Sequence, residues 1–238
     1  MNALEVKDFI KDYGSFRAVK GISFEVNQGE IFGLIGPNGA GKTTTLRVVA
    51  TLLRVTSGSI KVFGHEISRE AEGVRKIISY LPEDAGAYKN LSGRNYLEFI
   101  AGFYGGGETA KKIIQKGVEI AKLGERLDDK VDTYSKGMTR RLLVARALMV
   151  APKLAILDEA TSGLDVINAQ EVRKIINSSV AGGKAVLLSS HNMLEVEFLC
   201  NRIALINDGC IIERGTPTEL KEKYGAKNIE EVFAEAIT

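Results

Sequence analysis

Two kinds of hydrophobic pattern run along this chain. Leu4-Glu5-Val6-Lys7-Asp8-Phe9 and Ile22-Ser23-Phe24-Glu25-Val26 alternate apolar with polar. That is the period of antiparallel strands with one wet face. Tyr13-Gly14 lies between them, and Asn27-Gln28-Gly29-Glu30 turns the chain onward. Other runs are short and almost continuously apolar: Ile31 to Ile35, Ile77 to Leu81, Leu154 to Leu157 and Ala185 to Leu188. Strands buried on both faces of a parallel sheet read this way. A turn at Thr56-Ser57-Gly58-Ser59 precedes a further short strand, Ile60 to Gly64. Ile203 to Ile206 and Cys210 to Glu213 flank Asn207-Asp208-Gly209, which predicts a β-hairpin.

From about residue 85 to 150 the period changes to that of helices. Tyr96, Phe99, Ile100 and Phe103 share one helical face, and Ile113, Ile114, Val118 and Ala121 share another. Gly105-Gly106-Gly107 separates the two. A third helix runs from Met138 to Val150 and stops before Pro152. Helices are also predicted after the first apolar strand (Thr44 to Ala50), over Ala169 to Val180 and over Thr218 to Tyr224. Ile229, Val232, Phe233 and Ile237 are the apolar residues of the tail. The expectation is an α/β fold. Residues 1–84 and 151–220 make its core, residues 85–150 a helical subdomain, and residues 221–238 a terminal helix and tail.

Composition narrows the class. The chain has 238 residues, 45% hydrophobic and 26% charged, as in ordinary globular proteins with a sizeable core. Its formal charge is +2 with both signs interspersed. No basic stripe suits nucleic acid, and no polybasic block suits lipid. Cys200 and Cys210 fit neither a disulfide framework nor a metal spacing, and read as free thiols of a reducing compartment. Met1 to Lys7 has no apolar signal core. The longest apolar stretch, Leu142 to Ala151, is interrupted by Arg146 and falls short of the roughly 20 residues a membrane span needs. Work at a membrane would require another chain to supply the membrane part.

The chemistry is concentrated in Gly36-Pro37-Asn38-Gly39-Ala40-Gly41-Lys42-Thr43, set between an apolar strand and a helix. Gly, four residues, then Gly-Lys-Thr in that context is a P-loop. Its glycines let the backbone approach a ligand, its N–H groups ring phosphates, and the helix that follows points its positive end at them. Lys42 would reach the β- and γ-phosphates, and Thr43 would ligate Mg²⁺. The four apolar runs end in Gly36 to Thr43, Glu83, Asp158-Glu159 and His191. Laid side by side in a parallel sheet, these ends meet at the edge where such sheets bind ligands. Asp158 has the layout of a Walker B carboxylate holding Mg²⁺. Glu159 is the candidate general base or water-orienting group. His191 would donate to the γ-phosphate, although a lone histidine is as often a helix cap or a surface residue. His65, in a turn, reads as structural. Ser135 and Gly137 precede the third helix; a serine there is most often an N-cap, and a helix start is also an anion site.

With these motifs in order, the chain resembles the nucleotide-binding subunit of an ATP-binding cassette (ABC) transporter over nearly its whole length. The motifs are the P-loop, a Q-loop at Glu83, a signature Tyr134-Ser135-Lys136-Gly137-Met138, and Walker B Leu154 to Glu159. A D-loop Ser162-Gly163-Leu164-Asp165 and a switch His191 complete the set. The resemblance implies an ABC-type P-loop NTPase fold: a mixed-sheet core with an antiparallel β part and an inserted helical subdomain. It implies ATP and Mg²⁺ as ligands. Contacts to ATP would come from Tyr13 (stacked on adenine), Gly36, Pro37, Asn38, Gly39, Ala40, Gly41, Lys42, Thr43, Thr44 and Glu83. Thr43, Asp158 and Glu83 would serve the metal, and Glu159, His191 and Lys42 the reaction. A head-to-tail dimer, most simply a homodimer, would bring Ser135 and Gly137 to the other subunit's nucleotide. The implied partner is an integral-membrane permease, with this subunit peripheral on the cytoplasmic face of the cell membrane.

Three residues depart from the common family pattern: Glu83 for Gln, Lys136 within the signature, and Ala160 after Glu159. The first two are typical of a prokaryotic exporter subgroup, which the tail 228–233 also resembles, so export is expected. In the closed dimer Lys136 would partly offset the charge of Glu83. The surface near Tyr88 to Tyr104, with Glu83, is expected to couple to the membrane partner, although most of its aromatics read as internal packing. The alternatives are a soluble ABC ATPase acting on ribosomes or DNA, and a small-molecule P-loop kinase. The first lacks its paired cassettes or coiled-coil insertion here. The second does not explain the signature, Asp158-Glu159 and His191 together.

Overall fold

The computed structural model describes residues 2–237. Two sheets stack on a helical layer. The first is antiparallel, in the order β2 (Phe16–Asn27), β1 (Asn2–Tyr13), β4 (Ser57–Val62), β5 (His65–Glu66). The second has six strands, in the order β10 (Cys210–Gly215), β9 (Arg202–Asn207), β3 (Ile31–Ile35), β8 (Ala185–Ser190), β7 (Leu154–Asp158), β6 (Ile78–Leu81). β9, β3, β8, β7 and β6 are parallel neighbours, and β10 is an antiparallel edge. The four apolar runs therefore lie side by side, and their carboxyl ends share one edge.

Alternation along the parallel strands sorts their side chains onto two faces. Phe32, Leu34, Leu154, Ile156, Leu187 and Ile206 face a core shared with the antiparallel sheet and α1 (Lys42–Val49). Ile31, Ile35, Leu81, Leu157 and Leu188 face a second core, completed by α3 (Gly93–Ala101), α4 (Gly107–Ala121), α5 (Lys136–Leu148) and α6 (Val166–Ser179). A short α2 (Ala71–Arg75) precedes β6, and α7 (Met193–Val196) follows β8. The chain closes with α8 (Pro217–Tyr224) and α9 (Ile229–Ala236).

Several elements differ from the pattern reading. The alternating strands extend through bulges to twelve residues each. The expected turn at 56–59 is largely strand β4. Gly58 packs so tightly on the β1 bulge that a Cβ there would lie 2.4 Å from the Asp8 carbonyl oxygen, so its glycine marks close approach rather than chain reversal. The tail forms helix α9, capped by Asn228 and docked through Ile229 and Val232, both fully buried. Packing does not account for most of the aromatics near α3. Tyr96 is buried, but Tyr88, Phe99, Phe103 and Tyr104 are exposed. Tyr96, Tyr88, Phe99 and Phe103 form an edge-to-face ladder running outward from the core. The hairpin turn is as predicted, with Asp208 and Gly209 both at positive φ. Cys200, buried, and Cys210, exposed, form no disulfide.

Candidate active site

The loop after β3 is shaped by what cannot fit. A Cβ on Gly36 would sit 2.0 Å from the Ile206 carbonyl oxygen, and Gly41 has φ 102°. Both positions exclude a side chain. Asn38 and Gly39 form the exposed tip. Helix α1 starts from Gly41 without a side-chain cap and without an acidic residue in its first turn. Its first N–H groups therefore look into the loop with no protein anion to satisfy them, the arrangement of a phosphate cradle. Lys42 is buried, and its Nζ donates to the Gly36 and Pro37 carbonyls at 2.7 and 3.0 Å.

The ends of β7 and β8 supply the acids. Asp158, fully buried, accepts from Thr43 Oγ1 at 3.2 Å, from Ser189 Oγ, and from Tyr80 OH at 3.4 Å. Burial, and then the charge of Asp158, pushes the Tyr80 phenol up to about 12, so it remains a donor. Glu159 has φ 51°, a left-handed conformation unusual for a non-glycine residue. Its N–H is held by Ser189 Oγ at 3.1 Å and the Ser189 carbonyl at 3.2 Å. This fixed backbone turns the carboxylate between Lys42 and His191. Oε1 is 3.9 Å from Lys42 Nζ, and Oε2 is 2.9 Å from His191 Nδ1. Burial raises the Glu159 carboxyl, against the pull of His191 and Lys42. Burial likewise lowers Lys42, against the pull of Glu159, Asp158 and Glu83. Two charges held in so dry a place are incompletely compensated by each other, and an arriving phosphate would favour the ammonium. A cavity of about 180 Å³ opens beside Glu159 and His191, lined also by Ser162 and Gly163.

The remaining predicted residues lie around this cluster. Thr44 is on the first turn of α1, and Ala40 is buried beneath the loop. Glu83 is exposed, and its carbonyl accepts from Arg140 Nη2 at 3.2 Å. Tyr13 is 45% exposed at the end of β1, with Lys11 Nζ 5.1 Å from its ring centroid. Ser135 caps α5, its Oγ accepting from Met138 N at 3.2 Å. Gly137 is buried against α6, where a Cβ would meet Asn168 Cγ at 2.2 Å. Lys136 reaches back over Gly163 in the D-loop. Among the described residues, no hydrogen bond or ion pair joins Ser135 or Gly137 to the Lys42–Glu159 cluster.

Pattern reasoning missed Ser189, Tyr80 and Arg140. Tyr80 sits within an apolar run and Ser189 directly follows one, and their polarity there was the available signal. Arg140 reads as a helix-surface residue. It is in fact nearly buried, with Nη1 lacking a protein partner, and burial lowers its pKa.

Comparison with known proteins agrees with this geometry. The ABC transporter family model matches residues 19–162. The chain is 40% identical over 228 residues to the linearmycin resistance ATP-binding protein LnrL of Bacillus subtilis, covering 95% of this chain and 73% of that one. It is 38% identical to the daunorubicin/doxorubicin resistance ATP-binding protein DrrA of Streptomyces peucetius, covering 94% and 68%. A solved structure of an ATP-binding subunit of an ABC transporter superposes with a TM-score of 0.86 at 28% identity, covering 99% and 100%. The chain belongs to the ABC transporter family, as a nucleotide-binding subunit of the kind that hydrolyses ATP to power transport.

Proposed function

We propose that this subunit hydrolyses MgATP at the carboxyl edge of the parallel sheet, as one of two cassettes that close on the nucleotide and drive an exporter. The observation that carries the reading is the convergence of Lys42, Thr43, Asp158, Glu159 and His191 from three adjacent strand ends. The phosphates lie in the 36–43 loop, and Lys42 exchanges its two carbonyl partners for β- and γ-phosphate oxygens. Tyr13 stacks on the adenine.

The donor set supports Mg²⁺. A threonine hydroxyl and a carboxylate stand side by side at Thr43 and Asp158, and no group of three or more His, Cys, Asp or Glu forms a closed metal cage among the described residues. Mg²⁺ favours a few hard oxygens, with water and phosphate completing its shell. Thr43 and Asp158 would hold it, with Glu83 reaching it through water, and it would supply positive charge against that developing on the phosphates. Glu159 orients the attacking water and accepts its proton, Lys42 stabilises the γ-phosphate, and His191 holds Glu159 and donates toward the γ-phosphate.

Ser135 and Gly137 serve the partner cassette's nucleotide, and Lys136 offsets Glu83 across that interface. The exposed ladder from Tyr88 to Phe103, beside Glu83, is the surface that docks an integral-membrane permease on the cytoplasmic side. Three units divide the work: residues 1–84 and 151–220 bind nucleotide, residues 85–150 carry the signature, and residues 221–238 form the terminal segment, whose α9 packs on α7. No described helix is long and apolar enough to cross a membrane; in this reading a separate chain forms the path. The resistance proteins among the relatives support export. Gentle purification of the tagged chain from native membranes tests the reading. A co-purifying multi-span membrane protein is expected; ribosomal or DNA-bound partners alone would refute it.

A further inference from the structure

The opposite edge of the parallel sheet, where β7 and β8 begin, holds a second cavity. Its volume is about 250 Å³, just below the roughly 300–1,000 Å³ usual for small-molecule sites. Ile120 of α4, Leu148 of α5, Ala155 of β7 and Ile175 of α6 form its apolar wall. Lys116 of α4 and Lys184, just before β8, line the same cavity, close enough that, besides burial, the charge of Lys116 lowers the Lys184 pKa. Among the described residues, neither has a carboxylate within ion-pair distance. The other polar groups of the lining cannot balance them. Ser178 and Ser179 direct their hydroxyl protons to the Ile175 and Ile176 carbonyls.

Two ammonium groups lining one cavity with no carboxylate partner among the described residues repel one another. Burial and the charge of Lys116 both lower the Lys184 pKa. The arrangement lacks an anion at its mouth and has an apolar interior behind it. Gly182 and Gly183, both at positive φ, make the turn that brings Lys184 back over the cavity.

The location gives such a site a route to the chemistry. Leu148 ends α5, whose other end is capped by Ser135; Ile175, Ser178 and Ser179 end α6, whose other end is capped by Asp165 of the D-loop. Ala155 lies three residues before Asp158 on β7. A molecule wedged here touches the far ends of both helices at once.

We propose that this cavity binds an amphipathic anion, its carboxylate or phosphate head held between Lys116 and Lys184 and its apolar body against Ile120, Leu148 and Ile175, and that occupancy shifts α5 against α6. The binding claim is independent of the ATPase reading; the effect on turnover rests on it.

The test is calorimetric titration of the full-length chain with decanoate, with decanol as the neutral control and inorganic phosphate as the headgroup alone. Decanoate is expected to bind with one site per chain, and more tightly than either control. Lys116→Gln and Lys184→Gln should each weaken it about tenfold, the loss of one charge-assisted hydrogen bond, with ATP affinity unchanged. Equal affinity for decanol, or full decanoate affinity in the double variant, would overturn the site. In the turnover arm, decanoate should change wild-type ATP hydrolysis at least twofold and leave the double variant unaffected. Binding without that change would overturn the coupling. An inactive wild type that still binds decanoate would count against the ATPase reading alone.

Discussion

Helices α1 and α5 both begin at motif residues, yet they treat their free N–H groups in opposite ways. α1 starts from a left-handed glycine with no side chain to cap it. α5 starts from Ser135, whose hydroxyl caps the helix in the single chain. A cap of this kind is worth about 1 kcal/mol. The first helix start is left open to an anion; the second has one of its free N–H groups, that of Met138, satisfied within the chain. For a P-loop, anion binding is therefore part of the local fold. For the signature, the anion contact proposed above would be an additional task for a residue that already has a structural one.

The largest effect should come from the α1 side. Glu159→Gln keeps the shape and removes the base, and is expected to lower turnover at least about 100-fold while ATP affinity changes less than about threefold. Turnover near wild type would remove Glu159 from its role.

The two tasks of Ser135 separate by substitution. Ser135→Asp keeps a good cap and sets a carboxylate where the partner's phosphate is proposed to lie. Thermal stability should hold within about 0.5 kcal/mol and turnover should fall more than about tenfold. Ser135→Ala should instead lose about 1 kcal/mol of stability. If Asp were fully active, Ser135 would be a cap and nothing more.

Gly137→Ala probes the same helix from its buried side. Its Cβ would collide with Asn168, and overpacking costs about 1–3 kcal/mol, against a helix-propensity gain of up to about 1. A net lowering of Tm is expected. Adding Asn168→Ala should recover the loss; no recovery would show that the contact is not its cause.

The smallest effect is electrostatic. Burial raises the Glu159 carboxyl above the ordinary 4.5, so in the window just above that value the native state holds a proton the unfolded chain has lost. Stability contributed by this group therefore falls as pH rises through the folded pKa, while turnover rises as the base ionises. By urea denaturation across this range, the stability of wild type minus that of Glu159→Gln should fall as pH rises.

Much of this was legible beforehand because each signal was local. Continuous apolar runs gave β3, β6, β7 and β8, and a Gly-x4-Gly-Lys-Thr between strand and helix gave the cradle. What escaped depended on tertiary contact. Ser189 matters only because β8 pairs with β7 and brings its hydroxyl to Asp158 and the Glu159 N–H. Arg140 matters because α5 packs below the 82–84 loop. Phe99 and Phe103 share a helical pattern with Tyr96 but climb out of the core, where Tyr88 of the preceding loop joins them, which periodicity alone does not report. Gly58 and Gly137 read as turn and motif glycines, and both are required by close neighbours.

Sedimentation velocity of Glu159→Gln with and without MgATP tests the proposed division between α1 and α5 most directly. If α1 binds ATP and the partner's α5 completes the site, ATP should convert monomer to dimer, ADP should not, and Ser135→Asp added to Glu159→Gln should abolish the conversion. A protein that stays monomeric at saturating MgATP, or dimerises equally with Ser135→Asp present, would contradict the account.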